Sequence, residues 1–238
     1  MTKIKICGLS RDADIACVNE VKPDYIGFVF AESKRQVTKE QAERLKRMLD
    51  TEIMAVGVFV NDTVERMVGL VDKGIIDVIQ LHGQEDECII AKIKEFVSVP
   101  VIQAFGIQDV KDIRKAERSK ADMVLLDYKM AGSGETFDWE LLRQAGLETI
   151  SLEGDTSLRG GKSLLKEQSL QMVKLLAKEQ SLPWEKPVFL AGGMHSGNVQ
   201  EAVRRFHPYA IDVSSSVEVN GNKDKEKIKE LVRRIRNV

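Results

Sequence analysis

Tyr25-Ile-Gly-Phe-Val-Phe30 and Met54-Ala-Val-Gly-Val-Phe-Val60 decide the fold. Each is a short, nearly unbroken apolar run, the pattern of a strand buried on both faces. Strands of that kind belong to parallel sheets covered by helices. Working outward, comparable runs begin near Lys3, Asp24, Ile53, Asp77, Pro100, Asp122, Pro187 and Ala210, at intervals of 21, 29, 24, 23, 22, 65 and 23 residues. Six of these seven intervals fit one strand-plus-helix unit. The connecting segments carry helix signals. Thr38-Lys-Glu-Gln41 reads as a capping box, and Ala42, Leu45, Met48 and Leu49 follow at helical spacing. Asp224 opens a last segment with Ile228, Leu231, Val232 and Ile235 on one face. Eight such alternations predict an α/β protein, a single (β/α)8 TIM barrel over residues 1–238. An open doubly wound sheet is the structural alternative.

The 65-residue interval is the exception. After Trp139 comes the polar stretch Glu153-Gly-Asp-Thr-Ser-Leu-Arg-Gly-Gly161, then a helical pattern carrying Leu164, Leu165, Leu170, Met172, Val173, Leu175 and Leu176. Against a normal unit of about 25 residues, roughly 40 are extra. They predict an inserted segment between strands 6 and 7, around residues 146–185. A surface elaboration with one added helix is the expectation. A lid or a partner-binding segment is the alternative.

Composition narrows the function classes. A formal net charge of −1 gives no basic excess to argue for nucleic acid. No apolar stretch approaches the ~20 residues of a membrane span. Met1-Thr-Lys-Ile-Lys-Ile runs directly into a strand-like segment with no signal-peptide pattern. Cys7, Cys17 and Cys88 are an odd count without metal-ligand spacing, which fits a reduced, cytoplasmic protein.

In a parallel barrel the chemistry sits where each strand stops at its C-terminal end. Those positions hold Cys7, then Ser33 and Arg35, Asn61 and Asp62, Gln80 and His82, Gln103, Asp127, Gly192 and Gly193, and Asp212 and Ser214. Leu190-Ala-Gly-Gly193 and Asp212-Val-Ser-Ser215 end the last two runs, with Ala191 and Ser214 23 residues apart. Small residues after strands seven and eight let backbone N–H groups approach a phosphate. A phosphorylated small molecule is the expected ligand. Cys7 precedes Gly8 and a helix expected to be capped by Ser10, where a thiol tends toward thiolate and can serve as a base. A buried cysteine acting as a small hydrophobe is the competing reading. Asp127 ends Met123-Val-Leu-Leu126 beside Ala131-Gly-Ser-Gly134 and suits a general acid, or a loop cap. Arg35 can clamp a carboxylate, although Lys34 beside it also fits a charged surface. His82, before Gly83, reads as a donor at the mouth or a turn residue. No set of His, Cys and acidic residues has metal spacing, so no metal is expected.

With these residues in order, the chain resembles the phosphoribosylanthranilate isomerase family of tryptophan biosynthesis. The resemblance rests on Lys5-Ile-Cys-Gly8, Gly27-Phe-Val-Phe30 with Ser33 and Arg35, Gly57-Val-Phe59, Gln80-Leu-His-Gly83, Leu125-Leu-Asp127 and Phe137-Asp-Trp139. It continues through Leu190-Ala-Gly-Gly193 with Asn198-Val199, and Asp212-Val-Ser-Ser215 with Val217-Glu218 and Lys223-Asp224. Only about Gly146 to Glu185 lies outside it.

The resemblance implies an Amadori rearrangement of N-(5′-phosphoribosyl)anthranilate to 1-(2-carboxyphenylamino)-1-deoxyribulose 5-phosphate. Asp127 stands at the family's acid position and Cys7 at its base position. Arg35 would take the anthranilate carboxylate, and His82 and Asp212 would line the sugar and ring pocket. The amides of Gly192, Gly193, Ser214 and Ser215 would hold the phosphate, helped by a short helix. No cofactor is implied, and the chain is expected as a monomer or homodimer. Ser216 departs from the family's usual glycine after the serine pair, and Ala131-Gly-Ser-Gly134 from its Gly-Gly-Thr/Ser-Gly loop. The insertion is expected to stay away from substrate, where its helix could make an oligomer contact. The rivals are the histidine-pathway isomerase of a related aminoribosyl phosphate, a ribulose-phosphate epimerase, and a catalytically silent barrel that binds a phosphate ligand. The histidine-pathway enzyme looks different at its chemistry, with carboxylates as acid and base. The epimerase would want metal-ligand histidines. Retention of Cys7 together with Asp127 argues against the silent barrel.

Overall fold

The computed structural model describes residues 1–128, 138–145 and 186–238. Eight strands close into a parallel barrel in sequence order, with β8 hydrogen-bonded back to β1. They are β1 (Lys3–Cys7), β2 (Tyr25–Val29), β3 (Met54–Phe59), β4 (Val78–Leu81), β5 (Val101–Ile107), β6 (Met123–Tyr128), β7 (Val188–Leu190) and β8 (Ala210–Val213). Each starts within one residue of its expected position. The open-sheet alternative is excluded by the β1–β8 register, which pairs Lys5 with Asp212.

Among the described residues, the helices of the outer layer are α1 (Asp12–Val21), α2 (Lys39–Met48), α3 (Val64–Asp72), α4 (Glu87–Phe96), α5 (Val110–Arg118), α6 (Glu140–Gln144), α7 (Val199–Phe206) and α8 (Lys225–Arg236). The capping box at α2 forms as expected. Thr38 Oγ1 accepts from the Gln41 N–H, and Gln41 Oε1 accepts from the Thr38 N–H. Asp224 caps α8 by accepting from the Lys227 N–H, and Ile228, Leu231, Val232 and Ile235 are buried. Ser10 does not cap α1. The N-cap is Arg11, because the Asp14 carboxylate reaches back to the N–H groups of both Ser10 and Arg11.

Two apolar clusters divide the protein. The larger lies between strands and helices. The smaller fills the barrel interior, with Tyr25, Val56, Val58, Val78, Phe189 and Ala210 among its members. The N-terminal face is closed by carboxylates. Asp77 gives its N–H to Ala55 O and accepts from the Ala55 N–H through its side chain; Asp122 does the same with Val101. These reciprocal pairs satisfy strand-end groups that the sheet ladder leaves open.

Between β6 and β7 the structure describes α6, preceded by Trp139, whose ring packs edge-on against Phe206. The segment expected as an insertion around residues 146–185, and its lid or partner alternatives, lie outside the described residues. So does Ala131-Gly-Ser-Gly134.

Candidate active site at the barrel mouth

Strand alternation aims the chemistry inward. Leu125 and Ala210 belong to the interior cluster, so Asp127 and Asp212, each two residues further on, share its inward face. Cys7 packs against the same cluster. The strand next to Cys7 makes room for its thiol. Gly27 pairs with Cys7 in register, and a Cβ there would lie 2.7 Å from Sγ.

Beneath the thiol lies Lys5, with no exposed surface. Its Nζ donates to both oxygens of Asp212, at 3.1 Å each. Burial alone would lower the Lys5 pKa, but the Asp212 carboxylate and Cys7 outweigh it and raise it. Burial pushes the Asp212 carboxyl up, against the opposing pull of Lys5. Burial likewise pushes the Cys7 thiol up, opposed by the Lys5 and Lys223 charges and reinforced by Asp212. The thiolate tendency expected from a helix N-terminus is therefore not the dominant effect. The first turn of α1 also carries Asp12 and Asp14, which do nothing to favour an anion.

On the other side of the mouth, His82 Nε2 lies 3.6 Å from Asp127 Oδ2, just beyond hydrogen-bond length. Gln80 Nε2 sits 2.9 Å from His82 Nδ1. With the amide donating there, the ring proton falls on Nε2, facing Asp127. Asp127 also acts on Asp212, so one electrostatic cluster runs from Cys7 through Lys5 and Asp212 to Asp127.

Arg35 is half-buried and carries a partner. Its Nε and Nη2 donate to the two oxygens of Glu218, at 2.7 and 2.8 Å. Lys223 Nζ donates to Glu218 Oε1 at 2.6 Å and to Ser214 O at 2.9 Å. Glu218 thus ties the Arg35 arm to the turn after β8. Its pKa is pulled below the usual carboxylate range: burial would raise it, and Arg35 and Lys223 more than offset that.

Lys5, Glu218 and Lys223 are the residues that motif reasoning left without a role. A signal existed for Lys5, since a lysine between Ile4 and Ile6 in a strand buried on both faces is out of place. Glu218 and Lys223 stand in segments that carry the resemblance, but a role for them was not legible there, because Arg35, the cation that Glu218 holds, lies 183 residues away. Conversely, three strand-end positions are structural. Asn61 accepts from the Gln84 N–H, Asp62 pairs with Arg66, and Gln103 bridges Ser119 and the Glu85 carbonyl.

At the expected phosphate seat, Gly192 and Gly193 have φ of 73° and 61°, a region side chains rarely enter. Asn198 Nδ2 donates to Gly193 O at 3.0 Å and fixes that turn. Ser214 Oγ donates to Cys7 O at 3.0 Å, coupling the seat to β1. A single 3₁₀ turn, Ser215–Val217, follows. Ser216 sits within it and is not among the residues with positive φ, so replacing glycine there imposes no left-handed strain. Among the described residues, no group of three or more His, Cys, Asp or Glu side chains converges as metal ligands would.

The chain is similar to known proteins over nearly its whole length. A family model described as N-(5′-phosphoribosyl)anthranilate (PRA) isomerase matches residues 4–234. The chain is 39% identical over 242 residues to the N-(5′-phosphoribosyl)anthranilate isomerase of Endomicrobium trichonymphae, covering all of both chains. It is 40% identical over 236 residues to the Streptococcus mutans protein of that name, covering 99% of this chain and 100% of the other. The crystal structure of the Thermotoga maritima phosphoribosyl anthranilate isomerase superposes with a TM-score of 0.77 at 30% identity, with complete coverage of both chains. A crystal structure of such an isomerase in complex with reduced 1-(o-carboxyphenylamino)-1-deoxyribulose 5-phosphate superposes with a TM-score of 0.74 at 28% identity, also with complete coverage.

Proposed function

This chain belongs to the N-(5′-phosphoribosyl)anthranilate isomerase family and is an isomerase of tryptophan biosynthesis; we propose that Asp127 and Cys7 are the acid and base of its Amadori rearrangement. One observation carries the reading: a carboxyl at the end of β6 and a thiol at the end of β1 share the inward rim of a single barrel.

Asp127 protonates the ribose ring oxygen. The C1′–O bond breaks and the ring opens to a Schiff base. The Cys7 thiolate takes the proton from C2′, and the electron pair left behind neutralises the iminium nitrogen. The enolamine that results tautomerises to the ketone. Each positioned proton transfer is worth roughly 10²–10⁴-fold in rate. Only protons move, so this chemistry calls for no cofactor.

Arg35 takes the anthranilate carboxylate with the N–H groups that Glu218 leaves over. His82 and Asp212 line the sugar and ring pocket. Gly192, Gly193, Ser214 and Ser215 supply the backbone donors for the phosphate. The partner is a phosphorylated small molecule rather than nucleic acid or membrane. The chain works as a monomer or homodimer in the cytoplasm, a setting in which three unpaired cysteines are stable.

The test is turnover. Purified protein added to phosphoribosylanthranilate should quench its fluorescence as product forms. Tight binding without turnover identifies a silent phosphate-binding barrel. Turnover of the histidine-pathway aminoribosyl phosphate in its place identifies the rival isomerase.

A further inference from the structure

We propose that Lys5 is a positioning residue, a fixed cation inside the barrel that serves as counter-ion to both the Asp212 carboxylate and the Cys7 thiolate. The proposal rests on the assignment of Cys7 as the base, and its test is chosen to fail separately from that assignment.

Four observations converge on it. Lys5 is wholly buried, in an interior otherwise filled by residues such as Tyr25, Val56 and Phe189. Strand register pairs it with Asp212, and its Nζ lies 3.1 Å from each carboxylate oxygen. It stands two residues before Cys7 on the same strand, so both side chains share the inward face. The other cations that face the thiol are already committed. Lys223 donates to Glu218 and to Ser214 O, and Arg35 is bound to Glu218 through two N–H groups.

Stability alone does not account for such a pair. Buried ion pairs are commonly replaced by well-packed apolar residues without loss, because desolvation cancels most of the attraction. Directly under the thiol, however, a cation has a use. The base must exist as a thiolate beside a buried carboxylate, and Asp212 alone would oppose that charge. Lys5 balances one anion at rest and favours the second when the thiol ionises, while Asp212, Lys223, Arg35 and, through Asp212, Asp127 and His82 set the remaining field.

The experiment titrates the Cys7 thiol by its alkylation rate with iodoacetamide across pH, in full-length protein carrying Cys17→Ala and Cys88→Ser. Asp212→Asn in that background leaves the thiolate as the sole counter-ion of Lys5. The midpoint of Cys7 alkylation should then fall by about one pH unit, a tenfold gain in thiolate at pH below the midpoint. Adding Lys5→Met to Asp212→Asn removes the cation without stranding a buried carboxylate, and should raise the midpoint above that of Asp212→Asn alone. An unchanged midpoint in Asp212→Asn overturns the proposal, because Lys5 would then have shed its proton instead of pairing with sulfur. A midpoint in the double variant equal to that of Asp212→Asn overturns it as well. If that double variant does not fold, Lys5→Gln in the Asp212→Asn background makes the same comparison, and the same outcomes decide. These readouts are independent of turnover. Near-normal kcat in Cys7→Ser would remove the base assignment while leaving the thiol titration intact.

Discussion

Arg35 and Glu218 meet side-on, with Nε donating to Oε1 at 2.7 Å and Nη2 to Oε2 at 2.8 Å, although 183 residues separate them in sequence. Two of the guanidinium's five N–H donors are therefore occupied, and the plane of the remaining three is set by Glu218. Glu218→Gln keeps one acceptor and loses the ion pair. A charged hydrogen bond of this kind is worth about 1.5–3 kcal/mol, so kcat/KM should drop roughly 10- to 100-fold, chiefly through KM. Steady-state kinetics on phosphoribosylanthranilate would check this; an unchanged KM would release Arg35 from its assigned role.

Cys7→Ser and Asp127→Asn should each remove nearly all of kcat, by about 10²–10⁴-fold, while the reduced product analogue still binds. Calorimetric binding measured beside turnover distinguishes lost chemistry from lost folding.

Gly27→Ala is a test of the thiol's seat. The new Cβ would come within 2.7 Å of Cys7 Sγ and 3.1 Å of Cys7 Cα. The thiol must swing away or the strands must part, at a cost of about 1–3 kcal/mol in stability. We expect a loss of kcat exceeding the loss of binding, read from kinetics and thermal unfolding of one preparation. Wild-type kcat in this variant would mean that the thiol's position is not critical.

The Cys7 thiol, half-buried at the rim, titrates above its ordinary value because desolvation disfavours its anion. The thiolate is the form that accepts a proton, so kcat/KM should climb with pH through that raised pKa, and Cys7→Ser should abolish the climb. The folded protein also holds this proton more tightly than the unfolded chain. Its contribution to stability is complete below the unfolded thiol's pKa and is lost as pH rises through the folded one. Chemical denaturation compared between wild type and Cys7→Ser at mildly acidic and alkaline pH would show the difference narrowing upward.

Asp77 lies at the opposite end of the barrel from the site, with its carboxylate on the Ala55 N–H and the Lys46 ammonium. Asp77→Ala strands a strand-end N–H and should cost about 1–2 kcal/mol of stability with kcat unchanged. Urea unfolding and a kinetic assay report the two quantities separately.

Legibility was uneven for physical reasons. The strands could be read because burial on both faces forces a continuous apolar run, a constraint visible in residues such as Met54-Ala-Val-Gly-Val-Phe59 themselves. Helix caps at Thr38 and Asp224 could be read because they join residues three apart. The cap of α1 could not, since Ser10 is the better capping residue by type and Asp14 displaced it by reaching back from the helix. Cys7, His82, Asp127, Asp212 and the glycine and serine turns were legible as strand ends. The protonation of Cys7 was not, because burial, Lys5 and Asp212 act on it together and only Lys5 is near it in sequence.

By itself the amino-acid order determined how many strand-plus-helix units form, where each begins, and which side chains stand at the rim, since each of these leaves a pattern in consecutive residues. Tertiary structure alone decided which distant charges meet in the site. Lys5 and Asp212 are 207 residues apart, and they touch only because β8 closes against β1. Electrostatic pairing depends on distance through space, and barrel closure is what sets that distance.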